Sequence, residues 1–356
     1  MKNNINIKNM VLPIVVSIFA ILVALLMTVP IIKSEPKDIP LAVISLDQGI
    51  KTPTGEVNAG SQLVEKLTDS TADSPFTWKQ YSSLAETEAA VKDGDVYGSL
   101  VVPANYTAAV AAAKVDPVKT PLAIDATINM GKNATVASSV QTAFQQMSAS
   151  SGVIINTTIV NPAPEGVSAS AVMALGMLLF LPSWITAFVM TRFIKTDWSK
   201  REGRAKIYGI KLGLAVATSF IIGVGVSTIA STVVGIEGMF WSIALFGMLA
   251  SFAFQTIVLA AIGWLGTKGM IIPVIVMVLG TSSLSLPYEF LPNFWQDFVY
   301  PWVPQHFMGL GMREIVFMGK GAFDNSAVLG LLITTGVGLV ALTSTLAKPI
   351  EKTTKK

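Results

Sequence analysis

Apolar and polar positions divide the chain into six long runs with few or no charges and one polar stretch of domain size. The runs are 11–32, 169–193, 207–234, 240–265, 270–286 and 327–346. The first holds no charge over 22 residues, about 33 Å of helix against a hydrocarbon core of about 30 Å. A cleaved signal peptide is the competing reading, but signal cores are usually about 7–15 residues long and end at small residues. This run ends in Thr28, Val29 and Pro30, so an uncleaved span is expected. Segment 33–168 instead alternates short β-like runs (41–46, 76–81, 97–102, 122–126) with helical spacing (60–67, 83–92, 107–114), the signature of an α/β unit. From 132 to about 160 the absence of proline and of further charge predicts one long helix, with Thr157, Thr158 and the isoleucines weakening its end.

The pattern predicts an α-helical polytopic membrane protein of six transmembrane helices, with an extracytoplasmic α/β domain between the first and second. The expected divisions are 1–32, 33–168 and 169–356. Stretch 288–318 is too polar to span and carries Tyr288, Phe290, Phe294, Trp295, Phe298, Tyr300, Trp302, Phe307 and Phe317. Such rings favour the headgroup level, so it is read as an external hairpin of interfacial or re-entrant helices between the last two spans.

Composition agrees. Only 13% of the 356 residues are charged, against about 25% in soluble domains. The chain has no cysteine, which removes disulfides and thiolate chemistry. Charge sets the expected sidedness. Segment 1–10, loop 192–211, the turn at Lys268 and the tail from Lys348 hold 14 of the 25 Lys and Arg but only three of the 22 Asp and Glu. With these pieces cytoplasmic, as the positive-inside rule requires, both termini lie inside and 33–168 lies outside the cell membrane.

Catalytic motifs are missing. Gly131-Lys132 is followed by Asn133 and Gly319-Lys320 by Gly321, so no P-loop is present. His306 is the single histidine, and neither His-Glu-x-x-His nor Gly-x-Ser-x-Gly occurs. No enzyme activity, cofactor, metal or nucleic-acid partner is expected of this chain. The span centres carry no acid or base, which weighs against a proton relay. Gln255, the clearest amide within a span, is expected to bond between helices. Lys195, Trp198, Lys200, Arg201, Arg204 and Lys206 share one loop, read either as a topology signal that binds anionic lipid or as a docking element for a cytoplasmic partner. Glu289, Arg313 and Glu314 sit near the external interface, where paired charges either stabilise local structure or gate a substrate.

Three stretches carry a resemblance: LAVISLDQG at 41–49, followed by Gly60, Leu63, Val64 and Leu67; EAAVKDGDVYGSLVVPANYT at 88–107; and LPYEFLPNFWQDFVYPWVPQHFMGLGMREIVFMG at 286–319. With the span layout, they resemble the membrane subunits of type 2 ABC exporters, especially the YhgE/Pip phage-infection-protein branch. The resemblance implies a bacterial permease half that pairs with a second permease, as a homo- or heterodimer, and with a separate ATPase that meets loop 195–206. It implies export of an amphiphilic or hydrophobic substrate such as a drug, lipid or peptide. The alternative is a non-transporting surface protein whose external domain binds an envelope component or phage.

Overall fold

The structure is a computed structural model that describes residues 36–53, 55–69, 74–115, 122–198 and 203–349. The first apolar run, Lys200, Arg201 and the end of the tail lie outside the described residues.

Residues 36–167 form the α/β unit. Strands β1 (Ile39–Ser45), β4 (Phe76–Gln80), β5 (Gly98–Val102), β6 (Ala123–Asn129) and β7 (Ile154–Val160) make one sheet in the order β4-β1-β5-β6-β7. β1 is parallel to β4 and β5, β5 is antiparallel to β6, and β6 is parallel to β7. β2 (Ile50–Thr52) and β3 (Gly55–Val57) form a separate hairpin. β1 is apolar on both faces because both are covered. Helices α1 (Ala59–Asp69), α3 (Tyr106–Ala113) and α4 (Ala134–Ser151) close one face over Leu41, Val43, Leu100, Val102 and Ile124, while α2 (Leu84–Asp93) closes the other over Ala42 and Val96.

The long helix expected over 132–160 is two elements. Asn133 Oδ1 accepts from the amides of Thr135 and Val136 and starts α4. Gly152, at φ +68°, ends it in the left-handed conformation that glycine adopts without strain. The β-branched run IINTTIV then pairs with β6 as an edge strand, where branching at Cβ favours the pleated surface.

Ser168, whose Oγ accepts from Ala171 N, caps the first helix of the membrane part. That part comprises α5 (Ala169–Phe193), α6 (Arg204–Ile229, extended by a π-helical turn Ala230–Val234), α7 (Phe240–Leu265), α8 (Ile271–Ser285), α9 (Asn293–Phe298), α10 (Pro304–Met318) and α11 (Ala327–Ser344). Among the described residues, four helical stretches are long and apolar enough to cross a membrane: Ala171–Phe193, Arg204–Val234, Phe240–Leu284 and Ala327–Ala347. The third is α7 and α8 joined at the 3₁₀ turn Gly266–Met270.

Helix α7 lies at the centre, packed on α5, α6, α10 and α11, and its middle is apolar on most sides because neighbours cover it. Backbones approach closely through small residues: a methyl at Gly223 would collide with the Ala244 carbonyl, and one at Gly338 with Thr256. Gln255 behaves as its sequence position predicts. Its amide nitrogen donates to Ser219 Oγ (3.0 Å) and Ser251 Oγ (3.2 Å), its oxygen accepts from Thr218 Oγ1 (3.1 Å), and Ser251 meets Ser183 Oγ (2.7 Å), so α5, α6 and α7 are joined.

The aromatic stretch folds back along α8. Gln305 Nε2, at the start of α10, donates 3.0 Å to the carbonyl of Val276, in the first half of α8. The chain therefore dips beside α8 and climbs back to the end that bears the α/β domain.

Candidate functional site

Two junctions gather the charged side chains, one at each end of the bundle. At the domain end, Pro287 stops α8 and a 3₁₀ turn, Tyr288–Phe290, presents Glu289. Its buried carboxylate accepts from Tyr97 Oη at 3.0 Å across 192 residues of sequence. Tyr97 arrives there because Gly94, at φ +82°, ends α2 and turns the chain into β5. Lys132 Nζ lies 4.5 Å from the centre of the Tyr97 ring and donates to the Asp95 carbonyl at 2.9 Å. The segment leading into β1 is held at the same place: Lys37 N donates to the Glu289 carbonyl (3.0 Å) and Lys37 Nζ to Asn293 Oδ1 (3.0 Å).

Burial, reinforced by the Glu289 charge and hydrogen bond, pushes the Tyr97 hydroxyl well above its ordinary value, so it remains a donor. Burial lowers the Lys132 ammonium, against the opposing pull of Glu289 and Asp95. Arg313 contributes positive charge near Tyr97, and its buried Nε has no hydrogen-bond partner among the described residues.

The adjacent Glu314 has a different task. Its oxygens accept from Ser326 N (2.8 Å) and Ser326 Oγ (2.7 Å), and Lys320 Nζ lies 3.2 Å away, so it secures the entry to α11. Of the three residues singled out as an external gate, Glu289 and Arg313 belong to the domain junction and Glu314 to a helix start. Tyr97 and Lys132 escape sequence reading because one resembles a strand residue and the other a surface lysine.

At the basic end, Arg204 is only 3% exposed. Its guanidinium donates to the carbonyls of Trp198 (2.7 Å), Leu346 (3.4 Å) and Lys348. The Arg204 guanidinium (5.2 Å) and Lys348 Nζ (4.7 Å) both lie over the Trp198 ring. Lys195 and Lys206 are exposed. The six loop residues thus divide: Arg204 and Trp198 tie loop to tail, Lys195 and Lys206 face outward, and Lys200 and Arg201 lie outside the described residues.

A third position resembles a binding site but is filled from within. Open α/β sheets commonly bind ligands beyond the carboxyl ends of adjacent strands whose connections diverge, and here β1 and β5 lead to β4 and β6. Asp47 follows β1. Its carboxylate accepts from Gly60 N (3.0 Å) in α1, and from Thr107 N (3.0 Å) and Thr107 Oγ1 in α3. Burial acts to raise this carboxyl, but the bonds from Thr107, Gly60 and Gly49 together hold it below its ordinary value. The chain's own anion occupies the positive ends of two helices.

A family model described as ABC-2 family transporter protein matches residues 10–236. The chain belongs to this family. Its apolar helices accord with a membrane-embedded protein, and members of this family typically work with a separate ATPase subunit. An uncharacterized protein, YhgE, of Bacillus subtilis (strain 168) is 30% identical over 141 residues, which are 39% of this chain and 17% of that protein. The match supports the YhgE-like branch of the resemblance, over a small part of the relative's length. No solved structure matches. Within this chain of the ABC-2 family, the Tyr97–Glu289 contact joins the α/β domain to the aromatic hairpin, and the Arg204 clamp joins the basic loop to the foot of α11.

Proposed function

We propose that the chain is the permease subunit of an ABC exporter that moves an amphiphilic or hydrophobic substrate. The family match over residues 10–236 carries this reading. The sequence supports it by its want of a P-loop, which leaves ATP hydrolysis to a separate chain. In this reading segment 11–32 and helices α5, α6, α7, α8 and α11 make six spans, both termini are cytoplasmic, and the α/β domain stands outside. A second permease half completes the path, and the ATPase engages the basic loop. The interior polar groups that join the helices, Gln255 with Ser183, Thr218, Ser219 and Ser251, are uncharged, which suits an apolar cargo better than an ion.

Purification of the full chain in mild detergent tests the proposal. The expected result is co-purification of an ATP-hydrolysing subunit, lost when Lys200, Arg201 and Lys206 are reversed in charge while membrane insertion is retained. Recovery of the chain without any ATPase, together with binding of an envelope polymer or phage protein by its α/β domain, would overturn it.

A further inference from the structure

At the basic end, a cleft of about 270 Å³ opens between the end of α5, the following loop, the first turns of α6 and the end of α7. Three cations from three places line it: Arg192 from α5, Lys195 from the loop and Lys211 from α6. Among the described residues no carboxylate lines the cleft and none of the three cations makes an ion pair. Among the described residues Lys211 Nζ donates only to Thr196 Oγ1, at 3.1 Å, which leaves most of the ammonium's donors open to a ligand. The opposite wall is apolar, with Phe188 and Ile262 at the ends of α5 and α7. The Trp198 wall is fixed in advance by Arg204 and Lys348.

We infer that this cleft is a binding site for one anionic phospholipid, its phosphate held by Arg192, Lys195 and Lys211 and its acyl chains running along Phe188 and Ile262. The depth favours a lipid over a protein partner. Lys211 lies seven residues into α6, about 10 Å along the helix axis, so with α6 as a span the charge stands back from the helix start, where a headgroup reaches it more readily than a protein surface does. The apolar wall favours a lipid over a free anion, since a small anion would gain nothing from it. Positive side chains at a membrane surface attract anionic headgroups in the same way, and three converging on one cleft add site-specific geometry. The inference is independent of which substrate is moved and of whether an ATPase binds.

Native mass spectrometry of the full chain in detergent, titrated with phosphatidylglycerol or phosphatidylcholine, tests it. One phosphatidylglycerol is expected to be retained per chain, at least about tenfold more tightly than phosphatidylcholine. Arg192→Gln and Lys195→Gln, both at exposed positions, are each expected to weaken retention about fivefold, and the triple variant with Lys211→Gln about 100-fold. The control Lys206→Gln/Lys268→Gln, exposed at the same end but outside the cleft, is expected to leave retention unchanged. Equal loss in the control would reduce the effect to bulk charge and overturn the site. So would displacement of the lipid by millimolar inorganic phosphate, or single variants that keep the lipid while losing a co-purifying protein.

Discussion

Tyr97 and Asp47 each bind a charge to distant parts of the chain, and each can be tested singly. Tyr97→Phe removes the donor from the buried Glu289 carboxylate while preserving the ring beneath Lys132. An unsatisfied buried acceptor costs about 1–3 kcal/mol, and more when charged. Thermal unfolding of the full chain in detergent is expected to show that loss. In a cycle with Glu289→Gln the two changes are expected to couple by about 1 kcal/mol; additivity within about 0.5 kcal/mol would mean that the contact contributes nothing. For Asp47 the sign follows from its lowered carboxyl. The folded state prefers the ionised form, so the stabilisation is complete above the ordinary value of 3.8 and is lost as pH falls through the folded value. Asp47→Asn is therefore expected to lower stability at neutral pH by about 2 kcal/mol, with the gap from the parent protein closing below pH 3.8. A gap of constant size down to pH 2 would show that ionisation plays no part.

The elements were legible in proportion to how local their causes are. The apolar runs at 169–193, 207–234, 240–265, 270–286 and 327–346 became α5, α6, α7, α8 and α11 because a helix buried in lipid or among helices needs only length and an absence of charge. Strands β1 and β5 also stood out, as apolar runs ended at Asp47 and Pro103, and β4 by its alternation. The region 132–160 misled because its helix and strand share an uncharged composition, and the boundary is a single glycine, Gly152. The junctions were less legible still. Glu289 and Arg313 draw notice as charges near an interface, but their partner Tyr97 is set by the tertiary fold. Arg204 reads as one more solvated cation of a basic loop, and only the return of residues 346–348 to its guanidinium makes it a buried clamp.

At the scale of the molecule, the sheet domain sits on the aromatic hairpin at one end of the bundle, and the clamped loop lies at the other. Sidedness is the property that function turns on, and the chain's lack of cysteine makes it directly measurable. With Asp95→Cys in the domain and Gly203→Cys in the loop, an impermeant thiol reagent added to intact cells is expected to label the first and spare the second. The reverse pattern would turn the protein over in the membrane.

Arg204 gives that loop a mechanical character. One guanidinium grips the loop at Trp198 and the residues that follow α11 at Leu346 and Lys348, so these two segments share a single anchor at the start of α6. A pull on Trp198 is therefore expected to reach the start of α6 and the foot of α11 together, through one side chain.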